Sequence, residues 1–261
     1  MKATLITVAY NAGATIEETI RSVQMQTHPD LEYIVVDGGS TDGSREIYQK
    51  HASFISRLIM EKDEGLYDAM NKGIQASTGK FIGFLNADDL YAHSTVVEQV
   101  IRAGKEKQAD IVYGDLVYIP RQEGRQVLRY WKPGPFRKHA LRYGWTIPHP
   151  TFFCRADLYR QFGMYNTEFK IAADFELLLR FLSRDGLRIC YLDDILVRMR
   201  IGGKANTPSG ILQGNREILR AFKINHLRPL PGFFLIKFLL KSSQLFRRPA
   251  QDLKNNDPFP A

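Results

Sequence analysis

The sequence predicts an α/β fold: a mostly parallel sheet with helices on both faces and a helical extension at the carboxyl end. Three observations predict it. Short β-branched apolar runs alternate with amphipathic stretches at helical spacing through the first half, the pattern of strand–helix–strand units with right-handed crossovers. Polar clusters recur where those runs end, at Tyr10-Asn11, Asp37 and Asn86-Ala-Asp-Asp89, the edge at which such sheets bind ligands. Finally, 261 residues, 44% of them hydrophobic, suffice for one large domain, or one domain with a small appendage.

Each element carries its own signal. Residues 4–8 form a first β-branched strand, and Thr15-Ile-Glu-Glu18 has the capping-box pattern that opens a helix to residue 26. Residues 33–36 are a second buried strand. It runs into Asp37-Gly-Gly-Ser-Thr-Asp-Gly43, whose glycines and short polar residues mark a loop. Helix at 44–51, strand at 54–60, helix at 67–76 with Gly79 as its stop, strand at 81–85, helix at 94–107 and strand at 111–113 follow. Residues 116–119 and 127–131 read as a hairpin around Gln122-Glu-Gly124, and 133–150 as a structured loop rich in Pro, Gly and aromatics. A strand at 151–154 and helices at 156–162 and 175–185 lead to a loop at 201–208. Helical signal returns at 211–224, and an apolar, basic segment spans 233–248.

The stretch Gly83-Phe-Leu-Asn-Ala-Asp-Asp-Leu90 is the most informative. An apolar strand runs straight into Asp88 and Asp89. Adjacent carboxylates at a strand end repel each other unless a cation or ligand lies between them, and hard divalent cations bind through one or two carboxylates plus substrate phosphates. Helix capping by the same residues is the alternative.

Composition narrows the classes. Charged residues make up 25%, ordinary for a soluble chain. Cys154 and Cys190 stand far apart with no Cys-x-x-Cys, which argues against a disulfide framework or zinc site and fits a reducing cytosol. No run reaches the roughly 20 apolar residues of a membrane span, and the amino-terminal run is too short for a signal peptide. A net charge of +8 favours anionic partners such as nucleotides or phospholipid surfaces. Nucleic acid is not an expected partner, because zinc-finger spacing, aromatic ribonucleoprotein motifs and a basic recognition helix are all missing. The sequence also lacks Gly-x-Gly-x-x-Gly and Gly-Lys-Ser/Thr, which disfavours dinucleotide oxidoreductases and P-loop enzymes.

Five segments in order, Ile6-Thr-Val-Ala-Tyr-Asn11, Val35-Val-Asp-Gly-Gly-Ser-Thr-Asp-Gly43, Asp63-Glu-Gly-Leu-Tyr-Asp-Ala-Met-Asn-Lys-Gly73, Phe84-Leu-Asn-Ala-Asp-Asp89 and Ala173-Asp-Phe-Glu-Leu-Leu-Leu-Arg180, resemble the family 2 glycosyltransferases. The resemblance covers residues 1–199. It implies the GT-A-type, Rossmann-like fold and an inverting transfer of one hexosyl or N-acetylhexosaminyl unit from a nucleotide-diphosphate sugar. By family frequency the donor is a UDP-sugar, and the cofactor is Mg2+ or Mn2+. On that pattern 1–205 is the catalytic domain, with a nucleotide-sugar-binding half (1–115) and an acceptor-binding half (116–205). Residues 206–248 are a helical, membrane-associating extension and 249–261 a disordered tail. Two departures stand out: the acidic tetrad opens with Asn86 where the family usually has Asp, and Met70 stands where relatives often carry Arg.

The resemblance assigns roles residue by residue. Asp88 is the metal ligand holding the cation against the donor diphosphate, and Asp89 a second ligand or an orienter behind it. Asp37 receives the nucleotide base, or closes an Asx turn with Ser40. Ala9, Tyr10 and Asn11 frame that base, Glu64, Gly65 and Asp68 lie along the nucleoside or sugar, and Asn86 and Ala87 line the donor. Lys72 supplies a basic contact or sits in solvent. Asp174 is the general base that takes the acceptor hydroxyl's proton, or the N-cap of its helix, with Glu176 as runner-up. His149 contacts acceptor or metal, or is structural. Trp145 and Tyr143 stack on a sugar or pack in the core. Arg198, Arg200 and Lys204 flank a Gly202-Gly203 hinge that closes over the diphosphate.

The segment from Pro231 to Lys241 is too short to span a membrane. Lys237 and Lys241 lie four apart amid apolar residues, which suits an interfacial helix on an anionic bilayer, or a helix docked on the domain. The interfacial alternative implies a polyprenyl-diphosphate-linked saccharide acceptor and a cytoplasmic enzyme, peripheral at the inner face of the plasma membrane, in bacterial surface polysaccharide assembly. The competing functions are a sugar-phosphate nucleotidyltransferase, which would need a basic Gly-rich loop where Tyr10-Asn-Ala-Gly13 stands, and an inactive nucleotide-sugar-binding domain.

Overall fold

Every residue of the first strand, β1 (Ala3–Ala9), is buried, as a strand covered on both faces requires. The structure is a computed structural model and describes residues 1–121, 126–202 and 207–249. Among the described residues nine strands form one sheet. They are β1, β2 (Leu31–Asp37), β3 (Arg57–Met60), β4 (Phe81–Phe84), β5 (Leu90–Tyr91), β6 (Ile111–Ile119), β7 (Arg129–Trp131), β8 (Phe153–Arg155) and β9 (Ile189–Arg200). Their order is β3-β2-β1-β4-β8-β6-β9-β5, with β7 on β6. The first four are parallel. β8 then enters antiparallel to both β4 and β6, while β6 and β9 are parallel to each other.

Side-chain alternation sends Ile6, Val8, Ile34 and Val36 to one face and Leu5, Tyr33 and Val35 to the other. The first face is covered by α3 (Leu66–Ala76), α5 (Ala156–Phe162), α6 (Ala173–Leu182) and α7 (Pro208–Ile224). The second is covered by α1 (Ile16–Gln24), α2 (Ser44–Lys50) and α4 (Val96–Glu106). The last helix, α8 (Phe233–Ser243), pins Phe233 against Phe222 of α7. None of the described helices is long and apolar enough to cross a membrane.

Four expectations change. Thr15 sits at the N-cap of α1 but forms no capping box: its hydroxyl donates to Ala87 O, and Glu18 reaches Arg200 instead of its own helix end. The runs at 111–113 and 116–119 are one strand, β6, interrupted by a bulge at Asp115. Gly114 is needed there, since a Cβ would sit 2.6 Å from Leu196 Cγ. The sequence reading assigned no element to 186–200, yet β9 is a twelve-residue interior strand. Its mixed pattern, with Asp193 and Asp194 in the middle, hides the strand because the ladder slips there. Finally, α6 begins at Ala173, which places Asp174 inside its first turn. The expected hairpin turn at Gln122–Gly124, residues 203–206 and the tail beyond residue 249 lie outside the described residues.

Candidate active site

The acidic loop between β4 and β5 is held from behind by side chains. Thr15 Oγ1 donates to Ala87 O at 2.9 Å, Arg200 Nη1 to Asp88 O at 2.9 Å, and Thr19 Oγ1 to Asp89 O at 2.9 Å. Three successive carbonyls are thus fixed. Thr15 and Thr19 stand one turn apart on α1, and Arg200 ends β9 with its other nitrogen on Glu18. With the peptides pinned, the Asp88 and Asp89 side chains have little freedom of direction.

Those two carboxylates are electrostatically strained. Asp89 is wholly buried; its Oδ2 accepts from Asn86 Nδ2 at 2.8 Å, and its Oδ1 has no partner. Burial pushes the Asp89 carboxyl well up, and the neighbouring Asp88 charge pushes it further. Asp88 is half-buried and also raised, by burial, against the opposing pull of Arg200 and Arg121. A divalent cation would relieve both. No group of three or more His, Cys, Asp or Glu converges among the described residues. Two carboxylates fit a hard cation that takes its remaining oxygens from a diphosphate. Asn86, the departure from the family pattern, orients Asp89.

At the neighbouring strand ends, β1 and β2 are laced together. Asn11 adopts a left-handed backbone (φ 50°); its N–H donates to Ser40 Oγ and its Oδ1 accepts from Thr41 N. Ala9 is buried beside Asp37, while Tyr10 is 68% exposed. The Asp37 carboxylate is fully buried. Its Oδ1 accepts from Gly39 N and Ser40 N at 2.9 and 2.7 Å, and its Oδ2 from the Tyr48 hydroxyl at 2.8 Å. The Asx turn exists, and Asp37 shapes the 38–40 loop from below. Asp63, which the sequence reading left without a role, lies across this edge: its Oδ2 fills the space where a Cβ on Gly38 would sit, 2.3 Å away. Gly65 (φ 124°) opens α3, Asp68 Oδ2 accepts from Glu64 N, and Lys72 is paired with Glu61 and Asp68 at 2.9 and 3.4 Å. Lys72 is therefore anchored locally, and Glu64 is exposed.

Asp174 is the second residue of α6, behind an N-cap at Ala172. Its Oδ1 accepts from Phe175 N at 2.7 Å and from the Tyr67 hydroxyl at 3.3 Å, and the residue is half-buried. The helix N-terminus favours its charge. Glu176, the runner-up, is buried and accepts from Nε and Nη2 of Arg180 and from Asn225 Nδ2. The start of α6 is held by α7: Glu217 accepts from the N–H groups of Lys170, Ile171 and Ala172 at 3.1, 2.9 and 2.8 Å. Burial alone would raise the Glu217 carboxyl, but these donors outweigh it and hold it below its usual range. Burial raises the Tyr118 hydroxyl pKa against the opposing pull of Arg129, which donates to it, and the Asp89 and Asp174 charges add to the rise.

The other candidates separate. His149 is buried beside Phe84, with Nε2 2.6 Å from the Tyr165 hydroxyl. Burial lowers its pKa, against the pull of Asp174. Trp145 packs on Tyr113 and Phe136, and its Nε1 donates to Pro133 O, while Tyr143 is exposed. Lys204 lies outside the described residues. Sequence reasoning missed Tyr67, Thr15, Thr19 and Glu217. Tyr67 stands inside the Asp63–Gly73 motif and Thr15 heads the capping-box pattern, whereas Thr19 and Glu217 left no signal.

Comparisons with known proteins find relatives in sequence and in fold. The family model described as glycosyl transferase family 2 matches residues 4–161. A glycosyltransferase of PGL/p-HBAD biosynthesis from Mycobacterium bovis is 32% identical over 208 residues, 78% of each chain. The putative teichuronic acid biosynthesis glycosyltransferase TuaG of Bacillus subtilis is 36% identical over 99 residues, 37% of this chain and 39% of that one. In fold, the chain resembles S. aureus TarS 1-349 in complex with UDP-GlcNAc, with a TM-score of 0.70 at 18% identity, over 94% of this chain and 75% of that one. It also resembles the mannosyltransferase PcManGT from Pyrobaculum calidifontis in complex with GDP-Man and Mn2+, with a TM-score of 0.64 at 18% identity, over 93% and 69%.

Proposed function

The chain belongs to glycosyl transferase family 2, and from that premise we propose that it transfers one sugar, with inversion, from a UDP-sugar to a saccharide acceptor. The observation that carries the reading is the pinned Asp88–Asp89 pair, two raised carboxylates of which Asp89 keeps an unpartnered oxygen. Asp88 would hold Mg2+ or Mn2+ with Asp89 behind it, as the GDP-Man and Mn2+ bound by a fold relative suggest. When bound, the cation neutralises charge on the leaving diphosphate. The loops at Ala9–Asn11, 38–40 and Asp63–Asp68 would receive the nucleoside, with Asp37 fixing the loop that touches the base.

Asp174 is the base. The acceptor hydroxyl oxygen attacks the anomeric carbon, the bond from that carbon to the diphosphate oxygen breaks, and the proton passes to Asp174 Oδ2. Tyr67 and the Phe175 N–H, both on Oδ1, leave the other oxygen for this role. The cell-envelope pathways named for two relatives support a lipid-linked acceptor at the inner face of a bacterial membrane. The test is Asp174→Asn in a screen of UDP-, GDP- and dTDP-sugars with manganese. The wild type should turn over a UDP-sugar fastest, and in the variant transfer should vanish while donor binding persists. Near-normal turnover would remove Asp174 from the role.

A further inference from the structure

The last helix is inside out. Leu235, Phe238 and Leu239 of α8, spaced three and four apart, are 63%, 64% and 56% exposed, and Phe246 just beyond is 86% exposed. A contiguous apolar stripe of this kind is uncommon on a soluble monomer and marks an interaction surface. The opposite side carries the lysines. Lys237 packs so closely on the 138–144 turn that a Cβ on Gly144 would be 2.8 Å from its Cβ, and its ammonium lies 6.0 Å from the ring of Phe175, the residue after Asp174. One turn on, Lys241 is exposed and feels the like charge of Arg129, whose guanidinium stacks on Tyr118 at 3.9 Å.

Lys237 thus stands beside the start of α6, with Lys241 and Arg129 as further cations along the same side, and none of the three has an ion-pair partner among the described residues. Burial, with Lys241 as a like charge, lowers the Lys237 ammonium to about 8. A partly buried Lys237 and an exposed Lys241 of like charge, next to an exposed apolar stripe, match one kind of occupant, an amphiphile with an anionic head. A helix about 10 Å across separates its two faces by about the thickness of a lipid headgroup layer.

We propose that α8 receives a lipid-borne acceptor, with Leu235, Phe238 and Leu239 lying in the acyl surface while Lys237 and Lys241 take the lipid's phosphate and bring its head to Asp174. The proposal rests on the reading of Asp174 as the base of glycosyl transfer. It differs from a helix whose two lysines both meet an anionic bilayer, because Lys237 faces the domain. The exposed Arg247 and Arg248 at the end of α8 are left for that contact.

The full chain is sedimented with two vesicles, phosphatidylcholine alone and phosphatidylcholine with phosphatidic acid, whose phosphate monoester serves as the probe. Each basic residue at an anionic surface contributes about a five-fold gain, so the wild type should prefer the acidic vesicles by about 30-fold or more. Lys237→Gln/Lys241→Gln should lose about 30-fold of that preference. Leu235→Ser/Phe238→Ser should bind neither vesicle. Lys105→Gln/Lys107→Gln, at the end of α4, should behave as wild type.

A wild type that binds both vesicles equally or neither overturns the proposal, and that result needs no variant. So does a Lys237/Lys241 variant that folds and keeps its preference, an α4 control that loses as much, or a stable dimer whose partner copy covers α8. Manganese-dependent UDP binding is measured on the same samples. Its absence would sink the UDP-donor reading whatever the vesicles show; its presence without vesicle binding would sink this inference alone.

Discussion

Replacing Glu217 by glutamine removes the charge that holds the start of α6. The carboxylate is buried and accepts from four donors: three backbone N–H groups at 170–172 and Gln213 Nε2. Whichever way the amide turns, its NH2 faces two of those donors and two hydrogen bonds are lost. Each bond to a charged acceptor is worth about 1.5–3 kcal/mol, so the loss is about 4 kcal/mol. At this chain length that lowers the melting temperature by about 10 °C. The sign with pH follows from the depressed carboxyl. Its stabilisation is present above the ordinary 4.5 and is lost as pH falls through the lower folded value, so the gap between variant and wild type is full at pH 7 and closes on acidification. Differential scanning calorimetry at pH 7 and below 4.5 reads both effects. A variant that melts within about 2 °C of wild type at pH 7, or a gap that stays constant with pH, would refute the assignment.

Three further outcomes follow from the same structure. Arg200→Gln frees the Asp88 carbonyl and Glu18; manganese affinity, titrated with UDP present, should fall about 10–100-fold, and a change under about two-fold would mean the clamp does not aim the acids. Glu32 is nearly buried. Burial would raise its carboxyl, but hydrogen bonds from Thr4, Thr78 and Lys2 outweigh this and hold it at about 2. That drop from 4.5 is worth about 3 kcal/mol above pH 4.5 and is lost toward pH 2; Glu32→Gln should remove the acid-dependent part of the denaturant midpoint. Gly83→Ala would put a Cβ 2.3 Å from Phe153 Cε1 across the β4–β8 ladder, costing about 2 kcal/mol by chemical denaturation.

Much of the site was legible because its chemistry is local in sequence. A strand ending in two carboxylates, a Gly/Ser/Asp loop and an acid opening a helix can each be read without knowing what they touch. The bonds that aim those groups could not be read. Thr15 and Glu18 fit a capping box, and local pattern alone favours that reading; the structure sends them to Ala87 and Arg200, 72 and 182 residues away. Strand β9 was invisible because a bulge and a pair of aspartates break its alternation at the point where β6 bends.

Alone, the sequence determined the parallel first half of the sheet, the order of the acidic groups and the family they resemble, since periodicity and motif spacing are properties of the chain. Tertiary structure decided which groups are held and which are left unpartnered. Asp37 is saturated and Asp89 Oδ1 is not; Glu176 is locked by Arg180 while Asp174 keeps an oxygen available. Only packing could turn Lys237 of α8 inward and Leu235 and Leu239 outward, because a helix's rotation about its axis is set by what it docks against.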